Sequence, residues 1–188
     1  MKINLGVIIF IFLFSNISKS IEIKSIAVVN NYSISNYDLI KTINILEQIK
    51  NKKIMKKEYS SILEKLINDK IKIIEIEKNK IEVDNKIINK QLIEKFPNIN
   101  DANVSKELRN YLFNNLKINY QWNILLNRKF SNKLTVNLNE IEEVMKTRNI
   151  PDDKKNSFIL MEKNKKLVSV SNSYFNEVSS STYVERFE

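Results

Sequence analysis

The sequence predicts a mainly helical bundle closed by a small β-sheet that joins the two ends of the chain. Residues 59–83 place Tyr59, Ile62, Leu63, Leu66, Ile67, Ile71 and Ile74 at spacings of three and four, which is a helical face. Ile73 and Ile76 widen that face to more than half the circumference, so this helix is expected to be covered on two sides and to be the central one. The two best strands, residues 23–31 and 182–187, lie at opposite ends of the chain. An isolated hairpin is marginal in water and leaves an unpaired edge, so the two ends are expected to pair.

Taken in order, residues 1–20 read as a secretory signal. Lys2 gives a positive start, residues 5–14 form the apolar run, and Ser18 and Ser20 are small residues suited to cleavage after Ser20. That run is too short for a comfortable membrane span. Residues 23–31 are β-branched and end in Asn30-Asn31, a pair suited to a positive-φ hairpin turn into a second short strand at residues 32–34. Ser35 followed by Asp38 resembles a capping box, and Leu39, Ile43, Leu46 and Ile49 are the expected buried stripe of the helix it opens. The central helix ends without glycine, so Asn79 or Lys80 is expected in the left-handed closing position. Lys70 and Glu77 interrupt its apolar arc and are expected to reach water at the edge. Asp84 caps a shorter helix with Ile87, Ile88, Leu92, Ile93 and Phe96 apolar, stopped by Pro97.

A polar link over residues 98–104 leads into a long helix, residues 104–130. Leu108, Tyr111, Leu112, Trp122 and Leu126 lie towards one side of it, and Phe113, Tyr120 and Ile124 on a second. Either a neighbouring helix covers that second stripe or it stays open as an aromatic groove. Residues 135–147 start extended and become helical, with Asn137 or Asn139 as cap and Glu140 in a first turn that suits the helix dipole. Residues 148–156, with Pro151, are the clearest break. A last helix over 157–179 carries Leu160, Leu167, Val170, Tyr174 and Phe175, and the closing strand should put Tyr183 and Phe187 on one face and Val184 and Arg186 on the other. Beyond the signal, residues 21–188 are expected to form one domain, a core over 21–147 completed by the helix and strand of 157–188.

Composition excludes much chemistry. The chain of 188 residues has no cysteine and no histidine, and its only glycine is Gly6. Disulfides, thiol nucleophiles, imidazole bases, Gly-rich phosphate loops and nucleophile elbows are therefore out of reach. Glu140, Glu142 and Glu143 read as a solvated helix start, and Asp152-Asp153 as a polar loop without the second acidic cluster a metal would need. The serines of residues 171–181 lack a histidine partner. No catalytic residue, metal ligand or cofactor is expected. The net charge is +9, and the basic clusters at 50–57 and 163–166 read as solvated faces. An export signal argues against nucleic acid as partner.

The order of these pieces resembles the SurA family of periplasmic chaperones. Ala27-Val28-Val29-Asn30-Asn31, then Ser35 and Asp38-Leu39, look like the start of that family. Leu63, Leu66-Ile67, Lys70-Ile71 and Ile81-Glu82-Val83-Asp84 are similar to its central helix and the turn after it, where relatives often have Gly in place of Lys80. Residues 135–142 resemble the segment before the family's parvulin domain, and the final helix with Tyr183-Val184-Glu185 its C-terminal helix and strand. Relatives carry prolyl-isomerase domains in the gap that is here only residues 148–156, so the resemblance implies the chaperone core alone, without isomerase activity. It further implies an ATP-independent periplasmic holdase for unfolded outer-membrane proteins. No stable membrane insertion is expected after signal cleavage, and weak self-association is compatible with the reading. Such clients expose alternating aromatic residues. A groove carrying Tyr111, Phe113, Tyr120, Trp122, Ile124 and Met161 would suit them. The alternative is a non-enzymatic adaptor holding one fixed partner at the periplasmic face of the inner membrane.

Overall fold

The computed structural model describes residues 22–187. The expected signal segment and its cleavage after Ser20 lie outside the described residues. A hairpin of β1 (Ser25–Val29) and β2 (Tyr32–Ser35) leads into α1 (Asn36–Lys50), α2 (Tyr59–Lys78), α3 (Asn85–Lys95) and α4 (Lys106–Leu134), followed by α5 (Leu138–Thr147), α6 (Lys155–Ser180) and β3 (Val184–Arg186). The strand order is β2-β1-β3 with both pairings antiparallel, Val29 lying opposite Tyr32 on one side and Val184 on the other. The two ends of the chain thus share one sheet, as the isolated-hairpin argument requires. Ala27, Val29 and Ile34 are buried on its inner face, while Tyr183 and Phe187 are exposed.

Local chemistry sets the element boundaries. Asn30 turns the hairpin at φ 50°. Ser35 Oγ accepts from the Asp38 amide and the Asp38 carboxylate accepts from the Ser35 amide at 2.8 Å, a complete capping box. Asp84, Ser105 and Asn137 accept from the first-turn amides of α3, α4 and α5. With no glycine available, Asn51, Lys80 and Asn149 take the left-handed positions after α1, α2 and α5. At Lys80 the Ile81 amide then donates back to the Ile76 carbonyl at 3.1 Å, which closes α2.

α2 is the central helix: it touches β1, β2, α1, α4 and α6. The main core gathers Ala27, Val29 and Ile34 from the sheet with Ile67, Ile71 and Ile76 of α2. Trp122, Leu125 and Leu126 of α4 and Tyr174 and Val178 of α6 complete it. A second cluster joins Ile43, Ile54 and Ile62 between α1 and the start of α2, and a third joins Ile141, Met145 and Phe158 between α5 and the start of α6.

Several expectations from periodicity need correction. Ile49 is exposed in the last turn of α1, next to the Asn51 cap, and Thr42 and Ile45 are buried in its stead. On α3 only Ile88 and Leu92 are buried; Ile87, Ile93 and Phe96 face outwards, because α4 and the turn Pro97–Asn100 cover this short helix along one side only. α4 runs past Phe130 to Leu134, but Phe130 itself leaves helical geometry at φ −129°, ψ 27°, a kink where the sequence suggested an end. α6 starts at Lys155, two residues earlier than expected.

Candidate functional site

The six residues expected to line one groove do not come together. Trp122 is 2% exposed and belongs to the main core. Its ring stacks on Tyr174 at 5.5 Å, meets Phe175 edge-on at 6.3 Å, and donates Nε1–H to Ser171 Oγ at 2.9 Å. Lys72 Nζ lies 5.8 Å from the Trp122 and Phe175 rings, and burial pushes its ammonium below the usual lysine range. Ile124 packs against the same core. Tyr111, Phe113 and Tyr120 are half-buried along α4, with the Lys65 ammonium 5.5 Å from the Tyr111 ring. Met161 alone is exposed, on α6. A tryptophan on a helical stripe looks the same from sequence whether it faces a groove or a core.

One buried polar group escaped the sequence reading. Glu75 continues the α2 line Ile67–Ile71 by one more turn and is only 5% exposed. Its Oε1 accepts from Tyr174 Oη at 2.5 Å and Asn79 Nδ2 at 2.6 Å, with Lys129 Nζ at 3.5 Å; Lys78 Nζ stands 3.7 Å from Oε2. Burial alone would push this carboxyl up, but the Tyr174 and Asn79 donors, with the two lysines, outweigh it and hold it below its ordinary range. Burial and the adjacent carboxylate push the Tyr174 hydroxyl above its own. The carboxylate thus stays charged and holds its partners by hydrogen bonds and ion pairs. It ties α2 to α4 and α6. On the same helix Glu77 accepts from Tyr32 Oη at 2.8 Å and Lys70 sits 4.8 Å from the Tyr32 ring, so the two polar residues at the edge of the arc pin β2.

The open apolar surface lies elsewhere, where α4, α5 and α6 meet. Beyond the Phe130 kink α4 continues to Leu134, and the chain turns extended at Thr135 before α5 begins. α5 then packs on α6 through Ile141, Met145 and Phe158. That leaves a depression of about 570 Å³ lined by Leu134, Val136, Leu138, Ile159, Leu160 and Leu167. Leu138 is 53% exposed and Leu160 60%. Lys166 Nζ donates to the Thr135 carbonyl at 2.5 Å beside it. Leu160 also borders a second, shallower depression of about 640 Å³ that includes Met161 and Val168, the latter 58% exposed.

The arrangement follows from the length of α6. Leu160, Leu167 and Tyr174 are spaced by seven, as are Met161, Val168 and Phe175, so each set lies along one line of the helix. Along the first line burial rises from exposed Leu160 through half-buried Leu167 to buried Tyr174. The face of α6 that makes core at its C-terminal end therefore overhangs the bundle at its N-terminal end. Uncovered apolar surface of this kind is a candidate contact surface.

No protein-family model matches the chain, and no curated protein matches it. Among the described residues no three His, Cys, Asp or Glu side chains converge as a metal site would need, and no helix is long and apolar enough to cross a membrane.

Proposed function

We propose that this chain is a non-enzymatic, ATP-independent holdase of SurA-like architecture, which meets unfolded outer-membrane proteins in the periplasm and keeps them from aggregating. The observation that carries the reading is the overhang of α6, where Leu138, Leu160, Met161 and Val168 form an apolar surface that no part of the described chain covers. Side chains of this type in a shallow, open depression suit many apolar sequences at modest affinity, since no single contact needs a fixed geometry. The joining of both chain ends in one sheet agrees with the order of segments that suggested the family. The signal-like pattern of residues 1–20 supports export. The short link 148–156 leaves no room for an isomerase domain, so no cofactor and no catalysed prolyl isomerisation enter the reading.

The test is light scattering of a denatured β-barrel protein diluted into buffer, with and without the purified chain. A holdase suppresses scattering for several unrelated barrels, and Leu160→Gln with Val168→Gln removes most of that effect. Failure to suppress any of them would favour an adaptor with one fixed partner and overturn the holdase.

A further inference from the structure

The charges around the overhang deepen that reading and rest on it. Neither depression is lined by a carboxylate. The first has Lys163 as its one charged wall residue, and the second has Lys165. Lys165 is already neutralised by Glu162 at 2.6 Å, and Lys166 is turned onto the Thr135 carbonyl. Lys163 is exposed and has no acidic partner among the described residues. It stands one turn from Leu160 and Leu167 on α6, at spacings of three and four, so its ammonium overlooks the same apolar depression.

We infer that the α5–α6 depression takes apolar segments that carry a carboxylate, whose apolar side chains settle against Leu138, Leu160 and Leu167 while the acid pairs with Lys163. The apolar contacts hold the segment whatever its charge, and the lysine ranks one segment above another. An unpaired ammonium beside an apolar depression repels a basic segment and attracts an acidic one, which is discrimination by both an attractive and a repulsive element. The pair is solvent-facing, so it modulates binding rather than creating it.

Fluorescence anisotropy with three labelled peptides of one apolar sequence, differing only in a central Asp, Gln or Lys, tests this on the purified chain. The Asp peptide should bind roughly three- to fivefold more tightly than the Gln peptide, and the Lys peptide more weakly than either. Raising ionic strength from ~0.01 to ~1 M should erase the ranking while the Gln peptide stays bound. Lys163→Glu should invert the ranking, whereas Lys41→Glu, the same charge change on exposed α1, should leave it intact. Equal binding of the three peptides, or a ranking that Lys163→Glu leaves unchanged, overturns the inference and leaves the apolar site standing. If none of the three binds, the site itself is wrong and the inference falls with it.

Discussion

The two ends of α6 carry the same kind of side chain and meet opposite fates. At the C-terminal end Tyr174 and Val178 are buried against Trp122, Leu126 and Ile71, with Glu75 held at the centre. At the N-terminal end Leu160, Met161 and Val168 stand in solvent, while Phe158, with Ile159 beside it, finds a small core with Ile141 and Met145. The difference is one of coverage and not of composition. At its N-terminal end α6 meets only the last turn of α4 beyond the Phe130 kink and the ten-residue α5, which together leave part of its surface open. Apolar surface is buried at one end and open at the other, and if the open end is the proposed contact surface, substitutions should separate the two roles.

The largest effect on stability should come from Trp122. Replacing it with alanine opens the main core and should cost about 3–5 kcal/mol in a denaturant melt, while capture of unfolded client per folded molecule stays as it was. Equal loss of both would mean that the core and the contact surface are not separate.

Glu75 comes next. Glu75→Gln keeps an acceptor for Tyr174 but removes the charge that meets Lys129 and Lys78, and should cost about 1–3 kcal/mol at neutral pH. The carboxyl is held below its unfolded value near ~4.3, so its contribution is fully present above that pH and is lost as pH falls through the lower folded value. The acid limb of the stability profile should accordingly be flatter in the variant, which melts across pH would measure.

A smaller effect belongs to the sheet. Arg186 Nε and Nη2 donate to both oxygens of Glu64 at 2.8 and 2.9 Å, tying β3 to α2, and this bonding holds the Glu64 carboxyl below its ordinary range. Both side chains are about half exposed, so Arg186→Ala should cost no more than ~1 kcal/mol. By the same sign as Glu75, that contribution is present above the unfolded carboxylate value and fades below it, so wild type and variant should converge in acid.

The smallest change in stability, with the largest change in function, is expected at the overhang. Leu160→Gln with Val168→Gln should shift the melt by no more than ~0.5 kcal/mol each, as exposed positions do, yet abolish most suppression of client aggregation. A strong destabilisation would show that these side chains are covered after all.

Much of the fold was legible because it rests on short-range chemistry. The Ser35–Asp38 box, the Asn30 turn, the Asp84 cap and the stop at Pro97 involve neighbours in sequence, and the pairing of β1 with β3 followed from the open edge that an isolated hairpin leaves. The site was not legible in the same way. Glu75 one turn from Ile71 and three residues from Lys78 reads as a surface charge until Tyr174, far along the chain, is brought to it. Trp122 and Leu160 each sit in a good helical stripe, and periodicity says which side of a helix is apolar without saying how far its neighbours reach. A signal was present in the two lines spaced by seven on α6, which keep an apolar face up to its N-terminal turns. Met161, the one groove residue that is exposed, lies on one of them.

The most direct measurement is site-specific photo-crosslinking to a denatured β-barrel protein, with the reactive side chain placed in turn at positions 160, 168, 113 and 120. Adducts concentrated at 160 and 168, with little at 113 and 120, are the predicted result. Adducts concentrated on α4 at 113 and 120, or absent from all four, would contradict a contact surface on the overhang of α6.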